Sequence, residues 1–139
     1  MEATLLIIKP DAIARGVADH IIRRVENEGF KILARKRLRL LREEAEGLYA
    51  PHRGKPFFDD LVEFMTSGEV FALILQRERA VDGLRQLIGA TDPAQAAEGT
   101  IRRQFGTSKT RNAVHASDSS ESAQREIKFL FREGEWLAY

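Results

Sequence analysis

Two short, uninterrupted apolar runs constrain what this chain can fold into. One, TLLIIK (4–9), stops at Pro10-Asp11, and the other, EVFALILQ (69–76), lies at mid-sequence. Both are brief and rich in branched side chains, so they read as buried strands, the second as a central one. Such strands need apolar cover, and the intervening segments offer it. Ala18, Ile21, Ile22 and Val25 fall at helical spacing, with Gly29 as a stop. REEAEGLYAPH (42–52) and FFDDLVEFMTSG (57–68) read as two helices separated by Pro51 to Pro56, the second ending at Gly68. Val81, Leu84, Leu87 and Ile88 mark a further helix closed by Gly89.

The remaining segments complete a sheet. KILARKRLRLL (31–41) alternates, with Ile32, Ala34, Lys36, Leu38 and Leu40 on one face and Leu33, Arg35, Arg37 and Arg39 on the other. That pattern predicts a half-exposed strand. A polar connection from Ala90 to Arg111 holds a short helix at GTIRRQF (99–105), and NAVHAS (112–117) is a short strand. SSESAQREIKFLF (119–131) is a helix with Ala123, Ile127, Leu130 and Phe131 inward. Asp118 followed by Glu121 has the spacing of a capping box at its start. The order β α β α α β α loop β α predicts an α/β sandwich of the ferredoxin-like plan. Its four-stranded antiparallel sheet would carry helices on both sides, as one domain over 1–139.

Composition narrows the function classes. At 139 residues, 43% hydrophobic and 31% charged, the chain can build a core and is unlike disordered or collagenous sequences. With 22 basic and 21 acidic side chains the formal charge is +1, so any anion site must be a local cluster, and neither a membrane nor a specific nucleic-acid partner is expected. The absence of cysteine removes disulfides and thiolate metal sites and suits a reducing cytosol, hence an expected cytoplasmic location. The N-terminal apolar run is too brief for a signal segment, and no stretch approaches the roughly 18 apolar residues of a membrane span.

Three places carry candidate chemistry. Lys9 closes a buried strand, although a lysine so placed is more often a snorkelling surface residue. Arg85, Arg102, Arg103, Lys109 and Arg111, with Thr91 and Thr107, surround a long connection, and guanidinium forks suit phosphate oxygens. GTSKT (106–110) lacks the glycine before Lys109 that a Walker phosphate loop requires, so side chains would have to bind any phosphate here. His115 lies between small residues, and Glu126 can fold back from the next helix toward it. A carboxylate orienting an imidazole beside cationic groups is the pattern of an activated nucleophile. No second His or Cys at ligand spacing supports a zinc site.

The stretch Asn112-Ala113-Val114-His115-Ala116-Ser117-Asp118 resembles the N-x-x-H-[GA]-S-D signature of nucleoside diphosphate kinases. Ile8-Lys9-Pro10-Asp11, RGKPFF (53–58), LVEFMTSG (61–68), GATDP (89–93) and GTIRRQFG (99–106) are similar to that family's blocks and follow the same order. The resemblance implies ping-pong transfer of the γ-phosphoryl of a nucleoside triphosphate, typically ATP, to a nucleoside diphosphate through a phosphohistidine on His115. It implies that Lys9, Arg85, Thr91, Arg102 and Asn112 contact phosphates and sugar hydroxyls. Tyr49 would support the catalytic pocket, Phe57 would stack on the base and Leu61 would flank it. Glu126 would hold the imidazole, Ser117 would brace that carboxylate, and Asp118 would sit near the metal-bound phosphates through water. Magnesium would enter with the nucleotide.

The family resemblance further implies a homo-oligomer, whether hexamer, tetramer or dimer. Ala116 stands where many members carry glycine, an extra methyl expected to narrow a turn beside His115, and the chain ends at EWLAY (135–139), without the long C-terminal tail of some members. Two rivals of other classes are a non-catalytic binding or scaffold protein of the same fold and a nucleic-acid-binding module. The first has no need of a nucleophile, and the second draws little support from balanced charge.

Overall fold

In the computed structural model, which describes residues 1–132 and 135, four strands form one antiparallel sheet in the order β2-β3-β1-β4. The two apolar runs are its inner strands, β1 (Glu2–Ile8) and β3 (Val70–Arg77), paired from Glu2 opposite Arg77 to Ile8 opposite Phe71. The edges are β2 (Lys31–Leu38), against β3, and the short β4 (Val114–Ala116), against Leu6 to Ile8 of β1. Of the terminal EWLAY, only Glu135 falls among the described residues, so the C-terminal end of the expected domain lies outside them.

Alternation along the inner strands divides the core into two layers, as period-two geometry requires. Leu5, Ile7, Ala72 and Ile74 face α3 (Arg42–Leu48), α4 (Phe58–Met65) and α7 (Ser120–Leu130). Leu6, Ile8, Leu73 and Leu75 face α1 (Pro10–Ala14), α2 (Ala18–Asn27), α5 (Ala80–Ile88) and α6 (Ile101–Phe105). The ferredoxin-like sandwich with helices on both sides is therefore the observed architecture. Among the described residues no helix is long and apolar enough to cross a membrane.

Local chemistry departs from expectation in three places. The even alternation expected along β2 is broken by a register shift, since Ile32 pairs with Leu75 and Ala34 with Ile74. Leu33 is the extra residue, so Ile32 packs into one layer while Leu33, Ala34 and Leu38 pack into the other. A bulge inserts one residue without a partner and reverses the facing of the residues beyond it, which an alternation pattern cannot reveal. Second, Pro10 opens the short helix α1 as well as ending β1. Its fixed φ and missing N–H suit the first helical position.

Third, the N-cap of α7 is Ser119 and not Asp118. The Ser119 hydroxyl accepts the Ser122 N–H at 3.0 Å from extended backbone. Asp118 lies one residue too early and engages the Ser122 side chain. Replacing Ser119 with alanine should cost about 1 kcal/mol, read as a lower denaturant midpoint with unchanged slope. An unchanged midpoint would show the cap to be energetically silent.

Candidate active site

A cavity of about 500 Å³ opens where β1 and β4 end, walled by α3, α4, α5, α6 and the start of α7. Among the residues singled out from sequence, Lys9, Tyr49, Phe57, Leu61, Arg85, Thr91, Arg102, Asn112, His115, Asp118 and Glu126 all line it. Ser117 is fully buried behind the wall. Residues more than a hundred positions apart thus meet in one place.

His115 occupies the middle of β4, opposite Ile7. Its Nε2 lies 3.0 Å from Oε1 of Glu126, two turns into α7, and the Ser117 hydroxyl donates to the same oxygen at 2.7 Å. A carboxylate only accepts, so Nε2 is the ring nitrogen that donates, and in the neutral imidazole Nδ1 is the one with the lone pair. Glu126 Oε2 is 3.5 Å from the Arg125 guanidinium, which also donates to Gly47 O at 3.0 Å and so ties α7 to α3. Tyr49 meets the imidazole edge to face, with ring centres 5.3 Å apart. Burial, reinforced by the Glu126 charge, pushes the Tyr49 phenol well above its ordinary range and keeps it neutral.

Lys9 is not a snorkelling surface residue. It is 4% exposed, and its Nζ donates to Asn112 Oδ1 at 2.8 Å. Burial, followed by repulsion from Arg102, pulls its ammonium down to about 7, with Asp11 opposing. The Asn112 amide nitrogen donates to Thr91 O at 2.9 Å and Lys109 O at 3.0 Å, so one side chain joins β1 to two loops. Arg102 is likewise buried, donating from Nη1 to Gly89 O and from Nη2 to Val114 O, each at 3.0 Å. Burial draws its guanidinium down to about 10, which still leaves it charged at neutral pH.

The Arg85 side chain, on α5, makes no hydrogen bond among the described residues and interacts through its charge with Arg102 and Asp118. The Ser122 side chain, helped by Arg85, holds the Asp118 carboxyl below the usual range against partial burial. Phe57 stands at the rim, 45% exposed. His52 was not singled out from sequence, yet it stacks near Tyr49 at 6.4 Å between ring centres and tilts against Phe57 at 5.4 Å. Burial, then the Lys55 charge, lowers its affinity for a proton. Its scarcity as one of three histidines was the available signal.

Two backbone features complete the picture. Ala116, expected to crowd a turn, pairs with Leu6 as an ordinary strand residue, and its methyl is buried without a left-handed backbone. The unusual residue is Ala113, at φ 76°, a left-handed conformation costing an alanine about 1–2 kcal/mol. As for a metal, among the described residues no group of three or more His, Asp or Glu converges. Asp118 is the cavity carboxylate that is not tied to His115.

A cationic, partly aromatic cavity around an oriented imidazole defines a phosphoryl-transfer type of site. Comparison with known proteins agrees. Residues 2–136 match the family model for nucleoside diphosphate kinase. The chain is 53% identical over 134 residues to the nucleoside diphosphate kinase of Staphylothermus marinus, covering 96% of this chain and 95% of that protein. To that of Ignicoccus hospitalis it is 51% identical, covering 97% and 92%. The solved Aquifex aeolicus nucleoside diphosphate kinase is similar with a TM-score of 0.95 at 49% identity, covering 98% of this chain and 99% of that one. The halophilic enzyme from Halobacterium salinarum, in complex with CDP, gives 0.95 at 41% identity, covering 99% and 92%.

The chain belongs to the nucleoside diphosphate kinase family. It is an enzyme of that class, a nucleotide-binding phosphotransferase.

Proposed function

We propose that this chain moves the γ-phosphoryl of a nucleoside triphosphate, typically ATP, to a nucleoside diphosphate by double displacement on His115. The observation that carries the reading is the Glu126 carboxylate on Nε2, which leaves Nδ1 as the nucleophile at the cavity wall. Nδ1 attacks the γ-phosphorus, the bond to the β-phosphate bridging oxygen breaks, and the first diphosphate leaves with that electron pair. A terminal oxygen of the second diphosphate then attacks the phosphohistidine, and Nδ1 recovers its lone pair. Glu126 stabilises the charge that develops on the imidazole, and Ser117 fixes the carboxylate.

Lys9, Arg85 and Arg102 supply positive charge to the phosphates, with Asn112 and Thr91 completing the polar wall. Phosphoryl transfer asks the protein mainly for positioning and charge neutralisation. Phe57 offers a face on which any base can stack, flanked by Leu61, which supports broad nucleotide acceptance. The donor set fits a magnesium ion arriving with the nucleotide: Asp118 offers hard carboxylate oxygens that would hold the ion through water, and phosphate oxygens would provide the rest. Bound there, magnesium would neutralise phosphate charge. We further read the protein as one domain, cytoplasmic and homo-oligomeric.

Incubation with γ-labelled ATP should give an acid-labile, base-stable phosphoprotein that discharges on addition of GDP. If no such species forms while ATP still binds, the double displacement is wrong.

A further inference from the structure

Along a regular strand side chains alternate, so residues 112 and 115 would point to opposite faces. Here Asn112 and His115 both line the cavity, while Ala113 and Val114 are both buried in the layer formed with α2, α5 and α6. The parity changes at Ala113, whose φ is 76°. Val114 N–H closes the tight turn by donating to Asn112 O at 2.9 Å.

Two further bonds hold this turn, and both come from one short segment. Lys9 N–H donates to Ala113 O at 2.9 Å, and Asp11 Oδ2 accepts the Ala113 N–H at 3.1 Å. That N–H has no ladder partner, because β4 begins at Val114. Since Ala113 is wholly buried, its amide needs an acceptor from within the protein. Asp11 is also an acidic residue in the first turn of α1, but that helix is five residues long and accounts for little of a carboxylate so directed. Its second oxygen, Oδ1, is buried without a hydrogen-bond partner among the described residues.

We propose that Asp11 is a positioning residue for phosphoryl transfer: its Oδ2 on the Ala113 N–H locks the left-handed turn that directs Asn112 and His115 into one cavity. The catalytic consequence rests on the double-displacement reading; the structural half does not. Without the bond, the segment relaxes toward regular extended backbone, and either Asn112 or His115 leaves the wall.

Asp11→Ala removes the acceptor, whereas Asp11→Asn retains one in its amide oxygen. With folded protein at saturating ATP, the pre-steady-state rate of His115 phosphorylation should fall roughly 10–100-fold in Asp11→Ala. Asp11→Asn should recover it to within about fivefold of wild type. Phosphorylation of Asp11→Ala at the wild-type rate overturns the proposal. So does Asp11→Asn impaired as deeply as Asp11→Ala, because the carboxylate would then act through its charge. Should Asp11→Ala fail to fold, a loss of more than about tenfold in Asp11→Asn is the overturning result. A crystal structure of Asp11→Ala separates the two readings. If Ala113 stays left-handed, with Asn112 and His115 still at the cavity, this inference fails by itself; if wild type forms no phosphohistidine, the double displacement fails.

Discussion

Replacing His115 with alanine should lower exchange between ATP and GDP by on the order of 10⁴-fold or more, while ATP binding stays within a few-fold of wild type. The expectation rests on the surroundings of the imidazole. Neither Ser117 nor Tyr49 can take over as nucleophile: the Ser117 hydroxyl is buried and hydrogen-bonded to Glu126, and burial keeps the Tyr49 phenol neutral. The phosphate-facing groups remain in place, because Lys9 is held by Asn112 and Arg102 by two backbone carbonyls, none of them dependent on the ring. Glu126 keeps its bond from Ser117, so the truncation strands no buried carboxylate. The folded state loses the hydrogen bond from Nε2 to Glu126, about 1.5–3 kcal/mol, and the edge contact with Tyr49, about 1 kcal/mol. A single-turnover assay with labelled ATP and GDP, paired with equilibrium ATP binding, separates chemistry from affinity. Exchange above about one per cent of wild type would mean that the phosphoryl group passes directly between nucleotides.

The same neighbourhood explains how the site stays organised. Asn112 accepts from Lys9 and donates to two loop carbonyls, so β1 and the loops bearing Thr91 and Lys109 are fixed relative to each other. Arg102 does the same for the C-terminal end of α5 and for β4. Both side chains tie backbone segments together and also face the cavity. The cationic wall is therefore preorganised, which is where electrostatic stabilisation is most effective.

Much of this was legible in the sequence. The apolar runs 4–9 and 69–76 identified the inner strands because burial on both faces leaves little room for polar alternation. The motif residues converged because the antiparallel pairing of β1 with β4 sets Lys9, just past β1, beside Asn112 and His115, and α4, α5, α6 and α7 close around them. The features that could not be read depend on backbone geometry. The Leu33 bulge leaves no mark in an alternating pattern. The Ser119 cap competes with an equally suitable Asp118, and only the turn into α7 decides between them. Ala113 carries no hint of its left-handed φ, since alanine seldom adopts it. Arg125 belongs to the site through packing of α7 on α3, a relation between segments that neither segment encodes alone, and His52 through the turn after α3 that sets it beside Tyr49 and Phe57.

Substituting Lys9 with methionine should reduce kcat/KM by on the order of 10²–10³ and at the same time stabilise the nucleotide-free protein at pH 6.5. The opposite signs have one origin. The Lys9 ammonium is buried beside Arg102, which pulls its pKa from 10.5 down to about 7 despite the opposing Asp11 charge. A base with a depressed folded-state pKa binds fewer protons folded than unfolded between those two values. Stability therefore rises with pH across the window from about 7 to 10.5, and the full penalty applies below about 7. That penalty is on the order of a few kcal/mol. Methionine removes it with a chain of similar volume, at the cost of leaving Asn112 Oδ1 without its donor, about 1–2 kcal/mol. The net gain should be about 1–3 kcal/mol at pH 6.5 and should shrink steadily by pH 10, as the wild-type amine loses its proton in the folded state. Polyphosphate reverses the balance in wild type, because its charge favours the ammonium. Above pH 7 the protein must then take up a proton on binding, and ATP affinity should fall with rising pH in wild type but not through this group in Lys9→Met. Denaturant titrations of both proteins at several pH values, with parallel ATP binding, measure every part of this. A Lys9→Met protein less stable than wild type at pH 6.5 would show that the lysine is satisfied by its hydrogen bonds and strains nothing.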